Sequence, residues 1–145
     1  MTAINDLAEE IAAFLNANSK AFPVTVQSIN AEPVTYFATE TSLLPRVFVN
    51  PLTVASTADT RESFREDYVI GITLTRLVED PNDNSEITVM QHLAETIRKL
   101  LKNQDFAAAD FMAIGGEAAV PEFDVLQESQ GQYYVHAMTI GYSTF

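Results

Sequence analysis

The chain has 145 residues, with 20 acidic and 8 basic side chains, a net charge of −12 and no cysteine. This length suits one domain around one core, and an apolar content of 47% is too high for a disordered chain. The absence of cysteine excludes disulfide scaffolds, thiolate metal sites and cysteine nucleophiles, while the acidity argues against a surface that wraps nucleic acid.

The first fifteen residues carry Asp6, Glu9 and Glu10 where a secretory signal would be basic, and no apolar run approaches the ~20 residues that span a bilayer. The expectation is a soluble domain made in a cytoplasm, with no membrane partner.

Residues 4–18 predict an amphipathic helix, because Leu7, Ile11, Phe14 and Leu15 fall on one face. Asn5 or Asp6 is placed to cap its start, Glu9 and Glu10 suit the positive end of its dipole, and Asn16, Asn18 and Ser19 end it before Pro23. Val24 and Val26, alternating with Thr25 and Gln27 and continuing to Ile29, predict a strand. Pro33 and Pro45 bracket a stretch containing Val34, Tyr36 and Phe37. Arg46 to Asn50 predicts a second strand, closed by Pro51, and residues 55–65 predict an exposed polar loop. The clearest strand is Glu66 to Val78, where Tyr68, Ile70, Ile72 and Leu74 share one parity and Gly71, Thr73 and Thr75 the other. Together with Arg46–Asn50 it predicts a long hairpin arm whose tip is the segment 55–65.

Asp80 to Ser85 is a turn cluster that caps a second helix, Glu86 to Asn103, with Met90, Leu93, Ile97, Leu100 and Leu101 at helical spacing. Glu95 and Lys99 form an i,i+4 pair, and Lys99 and Lys102 suit the negative end of the dipole. Phe111 to Ile114 then runs into Gly115 and Gly116, read as a bend or bulge, and Val120 to Glu128 alternates weakly around Pro121. A turn at Gln130-Gly131 leads into a last strand, Gln132 to Ser143, with Tyr134, His136, Met138, Ile140 and Tyr142 on one face. Segregated strands with few helices predict an α+β fold: one domain over residues 1–145, an antiparallel or mixed sheet, two main helices packed on it and a long hairpin arm.

The residues supply little chemistry. His92 turns to the polar side of its helix, and His136 on the bulky face of the last strand reads as a packed residue. The two are not spaced as a metal pair, and no HxxxH, HxH or HExxH occurs. Asp80 and Asp83 are spaced like the start of a calcium loop, yet Ser85 stands where that loop needs Gly and Gln91 where it needs Glu. Gly115-Gly116 belongs to no phosphate-binding pattern, and no GxSxG elbow is present. The expectation is no catalytic residue, no cofactor and no metal. The segment Arg61, Glu62, Phe64, Arg65, Glu66 and Asp67 offers the candidate interface. It is either a solvated hairpin tip with local ion pairs or an arm that meets a neighbouring subunit through Phe64.

The layout resembles the tail terminator (tail completion) proteins of tailed bacteriophages. The features that carry the likeness are the helix around Leu7–Phe14, the early Val24-Thr-Val, Arg46-Val-Phe-Val-Asn-Pro51 and a long polar loop. The strand Tyr68 to Leu74, the helix Met90–Leu101 and the closing pair that ends at Tyr142 complete it. The resemblance spans nearly the whole chain without a diagnostic motif. It implies a virion protein that forms a homo-oligomeric ring, typically a hexamer, on the head-proximal end of the tail tube, ends tube polymerisation and meets the head–tail connector. The implied partners are other copies, the tail tube protein and connector or neck proteins, with DNA only as passing cargo. No residue is catalytic in such a family. A head-completion or connector adaptor of the phage neck is the nearest alternative. From other classes, an acidic binding or immunity-type module and a hydrolase using Asp or Glu with His136 stay open.

Overall fold

In the computed structural model the described residues are 3–31, 44–58, 64–78, 84–123 and 132–144. The elements in chain order are α1 (Ala3–Ala17), β1 (Ser28–Asn30), β2 (Arg46–Ala58), β3 (Phe64–Val78), α2 (Asn84–Leu101), β4 (Asp110–Phe123) and β5 (Gln132–Ser143), with a short 3-10 turn at Ser19–Ala21. The strands form one five-stranded sheet in the order β1-β2-β3-β5-β4, with β1 parallel to β2 and every other pair antiparallel. The fold is α+β with a mixed sheet.

Both helices pack on one face. Leu7, Ile11 and Leu15 of α1 are fully buried, as are Met90, Leu93, Ile97 and Leu101 of α2. They meet Tyr68, Ile70, Ile72 and Leu74 of β3 and Tyr134, Met138, Ile140 and Tyr142 of β5 in one cluster. The register explains the shared face, since Ile70 stands opposite Ile140 and Ile72 opposite Met138. Each buried Leu or Ile contributes roughly 1.5–3 kcal/mol, so these rows dominate the stability. Neither described helix is long and apolar enough to cross a membrane.

The helix ends follow local chemistry. The Asn18 amide donates to the Phe14 carbonyl at 2.8 Å, closing α1 where expected. The Asn16 amide reaches both the Ala12 carbonyl and the Ile29 carbonyl of β1, tying helix to sheet. After α2, Asn103 adopts the left-handed conformation with φ of 60°, a common way for Asn to stop a helix.

Several expectations need correction. Because α1 starts at Ala3, Asn5 and Asp6 lie inside its first turn and do not cap it. The strand expected at Val24–Val26 is absent. β1 begins only at Ser28, opposite Arg46 where β2 begins, and Val24 and Val26 instead pack half-buried against the core. Pro51 does not close β2, which runs on to Ala58. β3 alone flanks it there among the described strands, opposite Ile70, so a residue without an N–H is tolerated on the outer edge. Residues 55–58 and 64–65 of the expected loop are strand, with Ala58 paired to Phe64, and residues 59–63, the tip of the expected hairpin arm, lie outside the described residues. The polar character there marks the end of a sheet, since backbone pairing does not require apolar side chains. The turns at Asp80–Asp83 and Gln130-Gly131 lie outside the described residues.

β4 is one strand from Asp110 to Phe123, with register shifts at Phe111/Ala113 and Ile114/Glu117. The second shift contains Gly115 and Gly116, the bulge read from the sequence. A Cβ on Gly115 would lie 2.5 Å from Thr139 Oγ1, the same hydroxyl that accepts the Gly116 N–H at 3.0 Å. Pro121 is accommodated because β4 is an edge strand.

Candidate interaction surface

The segment proposed from sequence sits where β2 and β3 leave the sheet. Arg61 and Glu62 lie outside the described residues. Phe64 opens β3 opposite Ala58, with its side chain outside that set too. The remaining three are engaged within the chain. Alternation places Arg65 and Asp67 on one face, and Arg65 Nε stands 3.1 Å from Asp67 Oδ1 with both side chains partly shielded. Glu66 faces the other way and accepts a 2.6 Å hydrogen bond from the Tyr68 hydroxyl. Burial, helped by the Glu66 carboxylate, pushes the Tyr68 hydroxyl up to about 12. The Glu66 backbone also receives the Thr144 N–H at 2.9 Å, which ties the end of the chain to β3. Arg65, Glu66 and Asp67 therefore brace this end of the sheet.

Sequence reasoning missed the exposed apolar residues. Leu44, Leu52, Val54 and Met112 are the large hydrophobic side chains left exposed among the described residues, at 42–50%. Leu52 and Val54 belong to the part of β2 beyond β1, and Met112 to β4, where no described strand lies on the outer side. The available signal was Pro51: a proline inside an apolar run marks an edge strand as readily as a strand end.

His92 is exposed on α2, as expected. His136 is buried at 7% exposure on the helix-covered face. Its Nε2 lies 3.6 Å from Glu117 Oε2, and Arg98 Nη1 of α2 is 3.5 Å from Glu117 Oε1. The Tyr134 hydroxyl is 3.4 Å from His136 Nδ1. Burial lowers the His136 ring below its ordinary 6.5, and the Glu117 carboxylate opposes that shift. Burial also raises the Tyr134 hydroxyl. The structure thus brings a buried histidine, whose surroundings favour its neutral form, beside a partly exposed carboxylate. Among the described residues no group of three or more His, Asp or Glu could hold a metal ion.

Beside this cluster, a cleft of about 450 Å³ opens between the end of α2 and β4, lined by Arg98, Lys99, Lys102, Phe111, Ala113 and Ile114. Its walls combine an apolar floor with three of the chain's eight cations. Glu95, 3.1 Å from Lys99, and Glu117, beside Arg98, offset part of that charge. Such a site suits an amphipathic, anionic surface. No protein-family model matches the chain, and no curated protein is significantly similar to it.

Proposed function

We propose that this chain is a structural protein of a tailed bacteriophage virion, a tail terminator that closes into a homo-oligomeric ring on the head-proximal end of the tail tube. In that role it ends tube polymerisation, presents a surface to the head–tail connector, and works by binding alone. The observation that carries the reading is the order of elements along the whole chain: a helix, a short strand, the long β2–β3 pair, a helix, and the closing β4–β5 pair. The anionic character, −12 per copy, supports it, since acidic side chains along a channel repel passing DNA and keep it from adhering.

The experiment adds the purified chain to tail tube protein polymerising in vitro and images the products by negative stain. Shortened tubes with a ring at one end support the reading. Tubes of unchanged length with bare ends contradict it. The same charge favours a second reading, an acidic module that masks a basic partner. Salt-sensitive one-to-one capture of a basic protein by a monomeric chain would select that reading instead.

A further inference from the structure

We propose that copies of this chain join edge to edge, the β2 edge at Leu52–Ala55 of one copy docking on the β4 edge at Met112–Ile114 of the next. This deepens the ring reading and rests on its self-assembly part.

The two stretches occupy the same level of the sheet. Val54 stands opposite Tyr68, Tyr68 opposite Tyr142 and Tyr142 opposite Phe111, so one row runs from one edge to the other. They also share a face. Gly71 and Gly141 point away from the helices, and a Cβ on Gly71 would lie 3.1 Å from Leu52 Cδ1, while one on Gly141 would lie 3.8 Å from Met112 Cβ. Leu52 and Met112, each 47% exposed, therefore extend the helix-free face at its two opposite margins. A neighbour rotated about an axis along the strands brings them together without a shift along that axis.

Strand direction agrees. Through β3 and β5, β2 runs antiparallel to β4, so a neighbour in the same orientation continues the sheet with an antiparallel pair. β1 covers β2 only at Arg46–Phe48, which leaves the Leu52 level without a strand outside it among the described residues. On the β4 side, Asp105 accepts the Phe111 N–H at 2.9 Å, so contact between copies begins beyond that group.

The flanks are complementary in charge. Arg98, Lys99 and Lys102 border the β4 edge. α1 packs over β1 and β2, and Asn16 turns one of its sides toward Ile29. At helical spacing that side carries Glu9, with Asp6 one turn further on, and the one base that follows α1 closely is Lys20 in the 3-10 turn. The cleft of one copy, where Lys102 adds to the internally paired Arg98 and Lys99, thus faces the Glu9 and Asp6 side of α1 in the next. Because the contact joins two different surfaces, repetition closes a ring when the rotation between neighbours divides a full turn without a rise, and a ring so closed leaves neither of these edges exposed.

The absence of native cysteine makes the test clean. Leu52→Cys, Met112→Cys and the double variant are oxidised and run on a non-reducing gel. The double variant should give a ladder at multiples of the chain mass, and each single variant should stay a single band. Efficient dimers from either single variant would overturn the proposal by showing like edges in contact. No ladder from the double variant, while the unmodified protein sediments as an oligomer, would reject these edges and leave the ring reading standing. An unmodified protein that is monomeric at every concentration would end both. As a second measurement, Met112→Glu should raise the concentration for half-assembly about tenfold or more with an unchanged circular dichroism spectrum. His92→Glu, on the exposed side of α2, should leave that concentration unchanged; equal effects from both would also overturn the proposal.

Discussion

β3 and β5 pair residue for residue from Asp67↔Ser143 to Val78↔Gln132, whereas β2 and β4 hold every register shift of the sheet. The central pair presents fully buried Ile70, Ile72, Leu74, Ile140 and Tyr142 to the helices, while the outer strands leave Leu52, Val54 and Met112 exposed. Regular pairing and burial coincide at the centre. Bulges and exposed apolar side chains coincide at the edges. The contrast separates residues that hold the fold from the edge residues that the proposed contact between copies would use.

Substitutions sharpen that contrast, and the largest effects belong to the centre. Tyr142 is fully buried, with Phe106 and Phe111 edge-on to its ring. Tyr142→Ala should cost about 3–5 kcal/mol in urea unfolding. At the bulge, Gly115→Ala forces a methyl group against Thr139 and should cost about 1–2 kcal/mol. Gly116→Ala, with nothing within 4 Å of the new carbon, should stay within about 0.5 kcal/mol. Equal effects at the two glycines would break the account of the bulge. Tyr142→Phe removes a buried hydroxyl that has no hydrogen-bond partner among the described residues and should raise stability by about 1 kcal/mol.

Smaller effects concern ionisation. Burial lowers His136, Arg98 adds to that effect, and Glu117 opposes it. The folded state therefore favours the neutral ring. The stability this contributes is complete above the ordinary value of 6.5 and is lost as pH falls from there toward the depressed folded value. His136→Asn should flatten the fall in denaturation midpoint between neutral and mildly acidic pH, and an unchanged slope would contradict the assignment. Arg65→Ala, which breaks a half-exposed pair with Asp67, should change stability by less than about 1 kcal/mol.

The central elements were legible in the sequence because their apolar residues repeat with the period of the structure they form. The range Gln132–Ser143 and the face Tyr68–Leu74 were read directly from alternation. The edges were not legible for the same reason. Pro51 and residues 55–58 carry no apolar period, yet they are strand, because the backbone of β3 supplies partners whatever the side chains are. Val24 and Val26 alternate correctly but have no strand paired to them among the described residues, and their burial against the core accounts for their pattern. Among the candidate site residues, sequence located Arg65, Glu66 and Asp67 at an end of the sheet but not their internal bonds. Met112 and Leu52 become a pair only once the order β1-β2-β3-β5-β4 is known.

The most direct test of self-assembly is the particle mass of the purified chain, measured by sedimentation across a range of concentrations. The expected result is one closed species at a fixed multiple of 16.0 kDa that persists on dilution. A single 16.0 kDa species at every concentration would contradict it.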